Sequence, residues 1–338
     1  MRGKGINYDT GFINKGTSSR EPFDPAVVRR EIQIIRDDLH CTLLRVTGGD
    51  PARLDIAATL AAEAGLEVWF SPFTCDLTAA EILALLADCA ARAERLRQGG
   101  ATVVLVAGAE LSILNKGFLP GDTIGERVGL LNDPQRLREL IAAVPARINA
   151  FLAEAVTTIR AHFGGPITYA AMPFEGVDWT PFDFVSFDLY RSVEVADHFA
   201  AGVRTLVAQG KPVAITEFGC ATYHGAAERG ARAGFVIEWD DDTATPLRLD
   251  GDYTSDEAEQ AAYLRDLLTI FDAEGVDTAI VFTFAGYNLP HRSPPRADLD
   301  LASYGIVTVF EDHPGATYPD LHWEPKAAFF ALAECYRG

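Results

Sequence analysis

The chain is short of cysteine, of basic residues and of long apolar runs, and each shortage closes off a class of protein. Its five cysteines (Cys41, Cys75, Cys89, Cys220, Cys335) are scattered through 338 residues without a C-x-x-C pair. Neither a disulfide framework nor a thiolate metal site is written into that spacing, which suits free thiols in a reducing compartment. Lysine and arginine number 29 against 48 aspartates and glutamates, a net charge of −19. Such a chain repels phosphate backbones and anionic lipid, so neither nucleic acid nor a membrane surface is expected as a partner. No stretch approaches the roughly 18 apolar residues of a membrane span. The opening MRGKGINYDT also lacks the apolar segment of a signal peptide. A cytoplasmic location is the expectation.

The common cofactor and nucleophile motifs are missing too. There is no G-x-G-x-x-G after a strand, no G-x-x-x-x-G-K-[ST], no G-x-S-x-G and no H-E-x-x-H. The seven histidines show no metal-ligand spacing. No cofactor and no metal are therefore expected. The acidic and histidine residues of the last loop (Asp298, Asp300, Glu311, Asp312, His313, His322) could bind a divalent cation, but they read more simply as a solvated loop.

What is present is a regular alternation of strand and helix. Short β-rich runs occur at 5–8, 41–46, 67–70, 102–107, 167–171, 184–189, 213–216 and 278–284. Most are continuously apolar, as strands covered on both faces are. Asp24-Pro25 and Asp50-Pro51 set a capping residue before a first-turn proline, predicting helices over 24–39 and 50–64. Thr78 and Glu81 form a capping box for a helix to 98. Further helices are predicted over 133–162, with Pro145 as a kink or division, and over 192–209, 255–274 and 325–336. Eight strands alternating with helices predict an α/β fold, one (β/α)8 barrel forming a single domain over residues 1–338. Long loops follow strands four, seven and eight, at 111–133, 219–254 and 285–324. In a barrel they border the active face. The second, with Gly225, Gly230, Gly234 and Gly251, reads as a partly mobile wall.

Residues just beyond the strands of a barrel share one bowl. These are Asn7, Tyr8 and Asp9, then Arg45, Phe70 and Phe73, then Glu110, Met172 and Glu175, Asp188 and Tyr190, Glu217, and finally Phe284 and Tyr287. Glu110 follows VVLVAGA and Glu217 follows PVAIT, each a carboxylate directly after an apolar strand. One such glutamate could be a cap or a salt-bridge partner. Two, on strands four and seven, face each other across the bowl. Paired carboxylates suit glycoside hydrolysis because repulsion and burial part their proton affinities, so that one pocket holds both an acid and a nucleophile.

With AGAELS around Glu110 and AITEFG around Glu217, the chain resembles the large clan of retaining glycoside hydrolases built on a (β/α)8 barrel. That clan carries its acid/base glutamate at the end of strand four and its nucleophile at the end of strand seven. The resemblance makes Glu110 the acid/base and Glu217 the nucleophile. It makes Arg45 the clan's strand-two arginine and Tyr190 its nucleophile-contacting tyrosine. KGINYDTGF, WTPFDFVSFDLY and WEPKAAFFALAECY look most like the mannanase-type family 113 and relatives labelled abortive infection proteins. Two positions depart from the pattern. Ala109 stands where the clan usually has an asparagine for the sugar 2-hydroxyl, and strand eight offers Phe284 and Tyr287 instead of a tryptophan floor.

The expected activity is thus a retaining glycosidase acting on a small glycoside or oligosaccharide. Its two carboxyl groups should lie about 5–5.5 Å apart. Phe284 and Tyr287 would wall the sugar, Trp239 would offer a platform, and Tyr8 and Glu175 would supply polar contacts. Asp188, if it points inward, would order Arg45 or a polar layer of the barrel. Two rivals stand beside this reading. One is a barrel that lost turnover and serves as a carbohydrate-sensing or partner-binding, defence-related protein. The other is a metal-dependent hydrolase or lyase using the last loop.

Overall fold

Eight strands whose residues are almost all buried come together as one parallel sheet curled on itself. The computed structural model describes residues 1–337. The strands are β1 (Gly3–Asp9), β2 (Leu43–Gly48), β3 (Glu67–Pro72), β4 (Val103–Ala109), β5 (Ile167–Ala170), β6 (Val185–Asp188), β7 (Val213–Glu217) and β8 (Thr278–Val281). Neighbours follow the order β5-β4-β3-β2-β1-β8-β7-β6. The ring is closed between β5 and β6 by a parallel bridge from Ala171 to Phe187 and a 3.0 Å bond from Asp188 N to the Ala171 carbonyl. The architecture is the (β/α)8 barrel that the alternation predicts.

Parallel neighbours need crossovers, and the outer ring supplies them. Its helices are α1 (Pro25–Asp37), α2 (Pro51–Glu63), α3 (Ala79–Gln98), α4 (Val144–Arg160), α5 (Phe199–Val207), α6 (Glu257–Glu274) and α7 (Ala327–Arg337). Asp24 and Asp50 accept the N–H of Ala26 and of Ala52 at 2.8 Å, and Thr78 and Glu81 form the reciprocal capping box. Only a 3₁₀ turn, Pro173–Glu175, follows β5. Among the described residues no single helix is long and apolar enough to cross a membrane.

One expected division is present, and two helix starts differ from expectation. The segment 133–162 is divided into Pro134–Ile141 and α4, with Pro145 in the first turn of the second piece. There its missing N–H costs nothing. The helix predicted from 192 starts only at Phe199, because the preceding chain is held across α6. The Tyr263 hydroxyl bonds both the N–H and the carbonyl of Arg191, and Val193 N reaches the Glu228 carbonyl. Pro325 belongs to a small antiparallel pair, Val307–Val309 with Trp323–Pro325, so α7 begins two residues later.

The lower barrel interior is apolar, packed by Leu43, Trp69, Val104, Val106, Ala170, Ala214 and Ile280. β1 contributes no side chain at Gly5, where a Cβ would stand 2.2 Å from Leu43 Cδ1. One pleat further along, Leu43 gives way to Arg45, Trp69 to Ser71 and Ser186 to Asp188, all buried. This polar layer carries the site.

Candidate active site

Glu110 leaves β4 with φ 43° and ψ 39°, a left-handed conformation that an L-residue enters at a cost of about 1–2 kcal/mol. The surroundings over-determine it. Glu110 N donates to the Ala170 carbonyl at 2.9 Å, and the Glu110 carbonyl accepts from Ile113 N and Leu114 N at 3.0 Å. Leu111 N donates to the Tyr169 hydroxyl at 2.8 Å and Ser112 N to Glu175 at 3.0 Å. Strain held this firmly is typical of a working position.

Across the mouth, Glu217 ends β7 under two donors. Arg45 Nη1 lies 3.0 Å from Glu217 Oε1, and the Tyr190 hydroxyl lies 3.0 Å from Oε2. Arg45 is fixed in turn by the Thr216 carbonyl at 3.0 Å and by Ser71 Oγ at 3.1 Å. Asp188 stands beside it, 3.7 Å from Arg45 Nη1, with neither carboxyl oxygen in a hydrogen bond. One oxygen each from Glu110, Asp188 and Glu217 lies within 4.8 Å of the others.

Three carboxyls this close cannot all be ionised. Burial raises the proton affinity of each, and the charge of Asp188 raises Glu110 and Glu217 further. Glu110 is held well above the usual carboxylate range, with only Arg45 opposing. For Glu217 the same lift is opposed by Arg45 and by the Tyr190 hydroxyl. Glu217 is lifted to about 8 and Asp188 to about 6, so the proton is held most firmly on Glu110, the carboxyl with the fewest opposing contacts.

The structure therefore brings together Glu110, Glu217, Arg45 and Tyr190. It does not bring the other substrate-binding candidates to the carboxylates. Glu175 is fully buried and accepts from Ser112 N, Met172 N and the Tyr169 hydroxyl, so it braces the turn that presents Glu110. Burial lifts its carboxyl to about 7 against those donors. Tyr8 is buried with its hydroxyl on Glu31. Phe284 is buried edge-on against Trp323, ring centroids 5.3 Å apart, and offers no open face. Tyr287 gives its hydroxyl to Glu31 at 2.9 Å and its ring to Arg20. Trp239 is 45% exposed on the hairpin Ile237–Leu249, above the mouth.

Two aromatics absent from the sequence-based set do sit here. Phe282 is partly exposed at the end of β8, and its ring lies 5.9 Å from that of Tyr304. Tyr304 in turn meets Tyr190 edge-on at 5.9 Å. Phe282 lies inside the β-rich run 278–284, so the sequence does not mark it as a strand-end residue; the strand itself stops at Val281. Tyr304 lies in an irregular loop and carries no signal either.

The last loop does not gather its acids. Asp298 pairs with His291 at 2.9 Å, Asp300 with Lys326 at 2.9 Å and Glu311 with Arg292 at 2.7 Å. The geometry that could hold a cation lies instead in the Glu110, Asp188, Glu217 cluster and at His224, Asp256 and Glu259. In the latter, Glu259 already accepts Gly225 N and Ala227 N, and Asp256 caps α6.

A cavity of about 1510 Å³ lies among the loops that follow β1, β4, β7 and β8. Glu110 and Glu217 are not among its lining residues; Tyr304 lines it and links it to Tyr190. Part of its roof is a contact between two loops. Lys15 donates to the Asp241 carbonyl and Thr17 to the Thr243 carbonyl.

No protein-family model and no curated protein matches the sequence. Solved structures do match the fold. A family 113 β-1,4-mannanase shares 15% identity over the whole of both chains, with a TM-score of 0.59. The Parabacteroides merdae β-glucuronidase shares 13% over 99% of this chain and 36% of its own, also at 0.59. An endo-β-1,4-mannanase from Thermotoga petrophila shares 11% over 100% of this chain and 76% of its own, at 0.53. At such identities the similarity is one of fold: these enzymes and this chain share a (β/α)8 barrel.

Proposed function

We propose that the protein is a retaining glycoside hydrolase that uses Glu110 as acid/base and Glu217 as nucleophile. One observation carries the reading: one carboxyl oxygen of Glu110, at the end of β4, lies within 4.8 Å of one of Glu217, at the end of β7, and Glu217 is clamped by Arg45 and Tyr190. Retaining pairs stand about 5–5.5 Å apart, whereas inverting pairs need about 6.5–9.5 Å to admit a water. The Glu217 carboxylate attacks the anomeric carbon as the bond to the leaving oxygen breaks, and the Glu110 proton passes to that oxygen. Water then bonds to the anomeric carbon, gives its proton to Glu110 and releases Glu217. The glycosidase folds among the structural neighbours support the same reading.

A panel of activated aryl glycosides, with the first-formed product followed by proton NMR, tests it. We expect one sugar to be hydrolysed with its anomeric configuration kept. An inverted first product would remove Glu217 as nucleophile. A sugar bound tightly by the wild type but never hydrolysed would favour a carbohydrate sensor.

The pH profile tests the role of Asp188. kcat/KM rises as Glu217 loses its proton and falls as Glu110 loses its own. Charge on Asp188 raises both, so Asp188→Asn is expected to move both limbs to lower pH. Limbs that stay in place, or move upward, would remove Asp188 from the electrostatics of the pair.

A further inference from the structure

The large cavity differs in character from the carboxylate floor beside it. Its walls include Val128 from the β4 loop, Phe235, Ile237 and Trp239 from the β7 loop, and Leu289 and Phe310 from the β8 loop. Phe235 and Trp239 are 39% and 45% exposed, large rings left without full cover. Many of the polar groups at this wall are already engaged, the side chains of Asp241, Asn288 and His322 being exceptions among the described residues. The Tyr287 hydroxyl, Trp323 Nε1 and Arg20 Nη2 all donate to Glu31. The Tyr304 hydroxyl donates to the Gly230 carbonyl and accepts from Gly234 N. Arg292 is closed on Glu311, and Lys15 on a backbone carbonyl. Among the described residues, Asn14 Oδ1 is the buried side-chain atom of this lining left without a partner.

An oligosaccharide laid here would bury hydroxyls against rings and aliphatic chains with few donors or acceptors to replace water, an unfavourable exchange. An apolar group gains from the same surfaces. The volume of about 1510 Å³ also exceeds the roughly 300–1,000 Å³ of an ordinary small-molecule pocket, leaving room for a bulky group. Resting on the glycosidase reading above, we propose that this cavity receives a bulky apolar aglycone, so that the substrate is a glycoside of a hydrophobic fused-ring or long-chain alcohol. The sugar sits at Glu110 and Glu217, and the aglycone passes Tyr304 into the cavity.

A neutral, environment-sensitive naphthalene ketone dye, prodan, probes the cavity without requiring turnover. The expected result is one-to-one binding with a blue-shifted emission, weakened about tenfold or more by Phe235→Ser and by Val128→Asp, as for loss of a desolvated contact. Both substitutions lie in loops outside the barrel, and melting curves verify that each variant is folded. The dye should also compete with hydrolysis of an aryl glycoside, raising KM and leaving kcat unchanged. Absence of binding, or binding indifferent to both substitutions, overturns the proposal, as does tight binding that leaves hydrolysis untouched. If no activated glycoside is hydrolysed at all, the glycosidase reading falls and the aglycone assignment with it. The emission change still decides by itself whether the cavity takes an apolar ligand.

Discussion

Glu217→Ala is expected to lower turnover of every glycoside by about 10⁴-fold or more, because the covalent intermediate can no longer form. Glu110→Ala should fail differently. A dinitrophenolate leaving group needs little protonation, so the first step survives and the glycosyl-enzyme accumulates for want of a base to activate water. Azide needs no base. It should restore turnover in Glu110→Ala and give a glycosyl azide of the substrate's own anomeric configuration. In Glu217→Ala it should enter from the vacated face and give the opposite anomer. The pair of products, read by NMR, assigns the two roles independently of any rate. The same azide anomer from both variants would refute the assignment. Loss of the Arg45 and Tyr190 contacts cannot mimic this pattern, because it alters rates and not stereochemistry.

Glu31→Ala is expected to remove about 3–5 kcal/mol of stability, read as unfolding free energy in urea. Glu31 and Arg20 form an ion pair at 2.7 Å in which both side chains are almost wholly buried. Glu31 also accepts from Tyr8, from Tyr287 at 2.9 Å and from Trp323 Nε1 at 3.0 Å. This one carboxylate in α1 thereby fastens β1, the segment leading into α1 and the β8 loop. Removing it leaves an uncompensated guanidinium and three buried donors, each costly without a partner. Glu31→Gln should fall between the wild type and alanine. A paired replacement, Arg20→Met with Glu31→Leu, should recover most of the loss, since the charge and its need disappear together. A loss for Glu31→Ala below about 1 kcal/mol would contradict this account of the network.

The barrel was legible because its strands are covered on both faces and read as unbroken apolar runs, and because Asp24, Asp50 and Thr78 announce their helices at the cap. What escaped depended on distant partners. Glu31 falls on the apolar stripe of α1 with Val28, Ile32 and Ile35, but its donors come from positions 8, 20, 287 and 323, which no local pattern names. Strand-end position brought forward Glu110, Glu217, Arg45 and Tyr190, which do converge, and also Tyr8, Glu175 and Phe284, which do not. Position says that a side chain is near the mouth. It does not say whether its polar atoms are already taken, and those of Tyr8 and Glu175 are. Phe284 failed for a geometric reason: the β8 ladder ends at Val281, so the exposed ring belongs to Phe282. The hairpin Ile13–Asn14 with Thr17–Ser18 was invisible because two-residue strands have no periodicity.

The left-handed backbone at Glu110 has an evolutionary edge. Glycine occupies that conformation without the steric penalty, and asparagine tolerates it better than glutamate does. Under selection for folding alone, drift at this position runs downhill, away from the carboxylate. A lineage of this barrel freed from chemistry would be expected to lose residue 110 early, well before Arg45 or Tyr190, whose backbones are unstrained. The glutamate is thus the most perishable part of the site.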